Sequence, residues 1–189
     1  MSDRSEALPA VVAAVGARRL ELIQGDITAQ RVDAIANAAN AALAGGGGVD
    51  GAIHDAAGHE LMTELRARHP HGTPTGTAVA TGAGRLAARW VLHAVGPRWQ
   101  EGEHGEPELL ASAYTACLEL CDELGARSVA FPGISLGVYG YPGREGAQIA
   151  LRTVRDHLRG ETSLELARFV LYSAETYGVF EEALAALDD

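Results

Sequence analysis

The sequence predicts an α/β fold, a mostly parallel sheet between two helical layers, and three observations lead there. Short β-branched apolar runs alternate with longer segments of helical spacing. Gly, Pro, Asn and Asp punctuate the boundaries. The loops richest in glycine follow strands, which is where ligands collect in open parallel sheets.

The strand runs are 20–24, 32–36, 78–81, 90–95, 129–132 and 169–172, about six in all. Helical spacing covers 49–68, 107–124, 144–159 and 177–187, with a weaker helical segment over 8–17. Residues 98–107 read as a polar surface loop. A chain of 189 residues suits one domain with one sizeable core. The expected layout is a single domain over 1–189, its core at about 20–187, behind an N-terminal helical extension over 1–19.

Hydrophobic residues at 47% and charged residues at 21% place the chain among ordinary globular proteins. A formal net charge of −10 argues against nucleic-acid binding, which needs a cationic stripe to release counterions. The sequence shows no leader pattern and no apolar run near the ~20 residues of a membrane span, so the expected location is the cytoplasm. The expected state is a monomer with no stable nucleic-acid or membrane partner.

All 15 basic residues are Arg. Without Lys there is no P-loop lysine, no Schiff base and no kinase lysine. In so acidic a chain a phosphorylated ligand has to be held by backbone N–H groups, which favours glycine-rich loops. Cys117 and Cys121 lie four apart on an apolar helical face with Leu110, Tyr114 and Leu124, and core packing accounts for them. The histidine pairs His54 and His59, and His69 and His71, match no zinc motif, so neither metal nor cofactor is expected.

Two loops carry the chemistry. Gly45, Gly46, Gly47 and Gly48 run into a helix at Val49, and four glycines in a row pack nothing, so close approach of a ligand explains them better than a loose turn does. Gly46, Gly48 and Gly51 also satisfy the dinucleotide G-x-G-x-x-G pattern. That fingerprint must leave a strand directly, however, and here 37–44 intervene. Asn37 and Asn40 are turn formers in isolation, but beside this loop their carboxamides suit ribose hydroxyls. Asp50 is either a helix cap or a base beside a bound sugar. Asp26, after the first strand, either caps a turn or accepts from an adenine amino group. In the second loop Ser135 can donate to phosphate, Gly137 and Gly140 permit tight turns, and Tyr139 offers a face to a sugar ring.

Gly25-Asp26-Ile27-Thr28, Asn37-Ala-Ala-Asn40, the glycine run with Val49-Asp50-Gly51, and Ser135-Leu-Gly-Val-Tyr-Gly-Tyr-Pro142 stand in the order found in macrodomains. Over about 20–187 the chain resembles the hydrolytic, MacroD-like branch of that family. The resemblance implies a three-layer α/β/α macrodomain fold with a mixed, mostly parallel six-stranded sheet. It implies that Asp26 reads adenine, assisted by the backbone of Ile27, and that Asn40 contacts the distal ribose while Asp50 aligns or activates water. Gly45 to Val49 and the loop of Ser135, Leu136, Gly137, Val138 and Tyr139 would enclose the diphosphate and distal ribose. Leu136 stands where the family usually has Thr, which removes a hydroxyl near the phosphates. Tyr177 is the candidate wall for the adenine.

The activity so implied is hydrolysis of the ester joining the distal ribose of ADP-ribose to a protein Asp or Glu, together with removal of acetyl from O-acetyl-ADP-ribose. The partners are then ADP-ribose and ADP-ribosylated proteins. Two other functions fit parts of the pattern. One is a non-catalytic ADP-ribose reader whose Asp50 only caps a helix; the other is a nucleotide-diphosphate phosphatase, which would need metal-binding carboxylate clusters.

Overall fold

The computed structural model describes residues 10–187. Its strands are β1 (Val11–Val15), β2 (Arg18–Gln24), β3 (Ala34–Ala38), β4 (Ala78–Gly82), β5 (Trp90–Ala94), β6 (Ser128–Phe131) and β7 (Leu166–Leu171), joined in one sheet of order β1-β2-β7-β6-β3-β5-β4. The five inner strands are mutually parallel, and β1 and β4 close the edges antiparallel. The helices are α1 (Gly48–Ala57), α2 (His59–Arg68), α3 (Glu106–Leu124), α4 (Gly143–Arg159) and α5 (Ala174–Ala185). Among the described residues no helix is long and apolar enough to cross a membrane.

Side chains alternate across each strand, and the alternation sorts the core into two layers. Ala34, Ala36, Leu92, Ala94, Val129, Phe131, Phe169 and Leu171 pack one face under α3, α4 and α5. Ile35, Val91, Ala130 and Val170 pack the other with Ile53 and Ala57 of α1 and Leu61 of α2. The central strands β3, β5 and β6 are therefore largely apolar on both faces, as buried parallel strands must be, while β2 and β7 carry the buried Glu21 paired with Arg168. Asn37 and His93, both fully buried, are exceptions on the α1–α2 face.

Three expectations need correction. The weak helix at 8–17 is strand β1 over its described part, with Leu8 and Pro9 outside the described residues. Val11 to Val15 pair with β2 as a hairpin, and the ladder overrides the helical preference of the alanines and adds a seventh strand. The single helix at 49–68 is two, because Gly58 takes φ 94° and the Arg85 N–H bonds to the Ala57 carbonyl, ending α1. Helix α5 begins three residues early, where the Ser173 hydroxyl oxygen accepts from the Thr176 N–H at 3.1 Å.

Candidate functional site

The inner strands end together, and the loops that leave β3, β5 and β6 surround a cleft of about 430 Å³. Ala38, Ala39 and Asn40 line it from β3, Gly46 to Asp50 from the glycine loop, Gly96 from β5, and Gly133, Ile134, Ser135, Gly137, Val138 and Tyr139 from β6. None of these residues is cationic. An anion here meets the N-terminus of α1 and exposed backbone, as the chain's charge balance requires.

The glycine loop owes its shape to its own composition. Gly45 and Gly48 hold φ 79° and 57°, where a side chain is strained. Asn40 spans the loop's mouth, donating from Nδ2 to the Gly45 carbonyl at 2.8 Å and accepting at Oδ1 from the Ala44 N–H at 3.1 Å. Gly45 itself faces a second, more open cavity with His54, Asp55, His59, Met62 and Arg85.

Asp50 lies in the first turn of α1, yet its side chain does not cap the helix. The N-cap is Gly47, with no side-chain cap bond. Instead Asp50 Oδ1 accepts from Asn37 Nδ2 at 2.6 Å and faces His54 Nε2 at 3.4 Å, one helical turn on. Its Oδ2 faces the glycine loop, 3.3 Å from where a side chain on Gly46 would begin. Burial pushes the carboxyl up, but hydrogen bonds from His54 and Asn37 and the charge of His54 outweigh it, and the net direction is down. At neutral pH Asp50 is an anion with one oxygen tethered and one turned to the cleft.

The sequence missed His54 as a partner of Asp50, although the i, i+4 spacing on a helix was there to be read. Asn37 needs correction. It is fully buried, absent from the cleft wall, and spends its amide nitrogen on Asp50 and on His93 Nδ1 at 3.2 Å, so it holds the carboxylate rather than a ribose.

The second loop is propped from beneath. Fully buried Tyr114 of α3 accepts at its hydroxyl from the Ile134 N–H at 3.0 Å and donates to the Pro132 carbonyl at 3.2 Å. From the side, Trp99 donates its backbone N–H to the Tyr139 carbonyl, its ring meets Tyr141 edge-on at 4.8 Å, and the Arg98 guanidinium lies 4.4 Å over Tyr139. Ser135 takes φ 67°, uncommon for a residue with a side chain. Its Oγ is buried against Gly96, where a Cβ would come within 2.2 Å of it, so it offers the cleft backbone rather than the expected hydroxyl. Leu136 turns away from the cleft, its Cδ atoms lying beside Gly133 and Gly146.

Asp26 lies at the end of β2, three strand steps from β3 and outside the cleft wall. At ~4.8 Å per step that is about 14 Å, so only an elongated ligand lying across the strand ends reaches both. Asp26 is exposed, and its Oδ1 accepts from Thr28 N and Oγ1 at 2.8 and 2.7 Å, while Oδ2 takes part in none of the hydrogen bonds among the described residues. The Ile27 side chain is buried, which leaves its backbone as the part that can face a ligand. Tyr177 cannot wall a pocket, because its ring is 1% exposed within the main core. Tyr172, at the end of β7, is 85% exposed and neighbours Asp26 through the Gln24 side chain, whose Nε2 donates to the Tyr172 carbonyl at 3.4 Å. Among the described residues it is the exposed aromatic ring beside Asp26. Among the described residues no group of three His, Cys, Asp or Glu side chains is placed to hold a metal ion.

The Macro domain family model matches residues 36–150. The O-acetyl-ADP-ribose deacetylase of Salmonella typhimurium is 51% identical over 173 residues, covering 90% of this chain and 97% of its own. An Oceanobacillus iheyensis macrodomain solved with ADP superposes with a TM-score of 0.90 at 40% identity, covering 95% of this chain and 97% of that one. A Trypanosoma brucei macrodomain in complex with ADP-ribose gives 0.81 at 37% identity, covering 87% and 68%.

Proposed function

The chain belongs to the macrodomain family, and from that premise we propose that it binds ADP-ribose and hydrolyses carboxylate esters of its distal ribose, both the acetyl ester and the ester to a protein Asp or Glu. The observation that carries the catalytic half is Asp50: an ionised carboxylate with Oδ1 tethered and Oδ2 turned to the cleft beside the glycine loop.

In this reading the diphosphate lies between the α1 N-terminus and the 133–139 loop, with the distal ribose between Asn40 and Asp50 and the adenine toward Asp26 and Tyr172. Asp50 Oδ2 accepts a hydrogen bond from water and aims its oxygen at C1″ of the ribose that bears the ester. Water bonds to C1″ as the bond from C1″ to the carboxylate oxygen breaks; free ADP-ribose forms, the acid leaves as its anion, and the proton lost by water passes to solvent. A carboxylate with its pKa held low is a weak proton acceptor, so its share is orientation of water and stabilisation of positive charge on the sugar. The leaving group departs as a stable anion and needs no dedicated acid, unlike the alkoxide that glycosidases protonate with a second carboxyl.

The reader alternative made Asp50 a helix cap, a role that the N-terminus of α1 does not give it. Calorimetry with ADP-ribose and product analysis with O-acetyl-ADP-ribose and with a Glu-modified protein test the proposal. Binding with release of free ADP-ribose is expected. Absence of binding at millimolar ligand, less than about 4 kcal/mol of affinity, removes the binding claim, and binding without turnover leaves a reader.

A further inference from the structure

We propose that His93 is the positioning residue for Asp50, a neutral imidazole held in one tautomer that fixes the Asn37 amide, which in turn fixes the carboxylate. The proposal rests on the hydrolytic reading above and adds a residue that touches neither cleft nor ligand.

The sheet register builds the arrangement. In the parallel pair β3–β5, Asn37 is directly opposite His93, so both side chains emerge on the face covered by α1 and α2. Thr81 of β4, opposite Val91, shares that face. Helix α1 lowers Asp50 and His54 onto the same spot, the His54 and His93 rings lying 6.0 Å apart.

Every hydrogen along the chain of contacts then has one assignment. Ionised Asp50 only accepts, so Asn37 must present its NH2 at the 2.6 Å contact. The same nitrogen is 3.2 Å from His93 Nδ1, so its second hydrogen points there and Nδ1 is the acceptor. The ring proton therefore resides on Nε2, which faces Thr81 Oγ1 at 2.9 Å. Thr81 donates its own hydrogen to the Gly82 carbonyl at 3.0 Å and is left to accept. An imidazolium would set Nδ1–H against the Asn37 N–H, two donors head to head.

The groups facing the ring are Asp50 and His54 from α1 and His69 after α2. Burial first, then the charges of His54 and His69, disfavour the charged ring, and Asp50 alone favours it. The balance holds His93 at about 3, neutral wherever the protein is folded at ordinary pH.

His93 matters because little else orients the amide. Asn37 Oδ1 is buried without a hydrogen-bond partner, so apart from Asp50 itself only the acceptor on His93 distinguishes the two ends of the carboxamide. Turned over, the amide would set its oxygen against Oδ1 of Asp50 and displace the carboxylate that aims the water.

Two variants that differ in reach separate positioning from packing. His93→Asn sets an amide oxygen where Nδ1 stands and keeps the acceptor for Asn37. His93→Gln carries its amide out to the Nε2 position, keeps a partner for Thr81 and loses Asn37, although in volume it is nearer to histidine. The measurements are kcat and KM on O-acetyl-ADP-ribose and Kd for ADP-ribose. Both variants are expected to bind ADP-ribose within about threefold of the parent, with His93→Asn keeping kcat within about tenfold and His93→Gln losing roughly 100-fold. Equal kcat in the two, a faster His93→Gln, or kcat and affinity falling together would overturn the proposal.

A second measurement needs neither turnover nor a folded His93 variant. Long-range 15N–1H spectra of the histidine-labelled parent should contain one neutral Nε2–H ring that does not titrate between about pH 5 and 8 and that shifts in Thr81→Val. An Nδ1–H or charged ring at that signal overturns the assignment. A parent that hydrolyses no ester sinks the hydrolase reading, while the spectrum still decides the tautomer and with it the arrangement.

Discussion

The glycine loop is tied by Asn40 across its mouth and leads into Asp50, which Asn37 holds, whereas the loop facing it across the cleft is propped by aromatic residues, the Tyr114 hydroxyl below and Trp99 and Tyr141 beside it. The two tethers do different things. Hydrogen bonds among buried polar groups have direction, so the first loop fixes where a charge points. Ring packing fills space, so the second fixes the cleft's shape. Damage to the first should appear in rate before stability, and damage to the second in stability before rate.

The largest expected effect is on the charge itself. Asp50→Ala should fold, bind ADP-ribose within about tenfold of the parent, and lose about 10²–10³-fold in kcat, the scale of a group that orients water and stabilises charge in the transition state. Single-turnover rates with calorimetry measure the split, and parental turnover in the variant would show that the glycine loop only binds.

Gly47→Glu tests the same loop as a binding surface. Gly47 has an ordinary φ of −100° and open space around its Cβ direction, so the side chain fits the fold and enters the cleft as a second anion beside Asp50. ADP-ribose affinity should fall by at least about 100-fold, some 2.7 kcal/mol, with the melting temperature little changed. A folded variant with parental affinity would place the diphosphate elsewhere.

On the aromatic side, Tyr114→Phe keeps the ring and removes the hydroxyl between the Ile134 N–H and the Pro132 carbonyl. Denaturant unfolding should show a loss of about 1–3 kcal/mol for the buried unpaired group. Should kcat on saturating substrate fall further than stability, the contrast between the loops fails.

The last effect is a slope. His93 has a folded pKa of about 3 against 6.5 for the free side chain, so between those values the unfolded chain carries a proton that the folded one does not. Stability therefore rises with pH across that window, and His93 removes about 1.4 kcal/mol for each unit of fall below 6.5. Urea titrations of the parent and of His93→Asn at a series of pH values isolate its share. Identical slopes would mean that the ring is charged in the fold.

Much of this was legible in the sequence because it is written in local pattern. The inner strands follow from apolar runs and the glycine loop from residues that pack nothing. The missing strand β1 was not, because Val-Val-Ala-Ala-Val suits a helix until β2 offers it a ladder. Asn37 was assigned to a ligand because a carboxamide beside a glycine loop suits ribose hydroxyls. Only the β3–β5 register, a contact between residues 56 positions apart, turns it to His93. Tyr177 and Tyr172 lie on either side of an α5 start set by the Ser173 cap, and misplacing that start exchanged a buried ring for an exposed one.

A cleft walled by peptide groups has one more consequence. Recruiting a long side chain to a phosphate freezes rotamers at about 0.5–1.5 kcal/mol each, a penalty due every time a ligand arrives. The donors at 46–49 and 133–139 are main chain already fixed by Asn40 and Tyr114, so their disorder was given up when the chain folded. The entropy of recognition is thereby moved from the binding event into the stability of the fold.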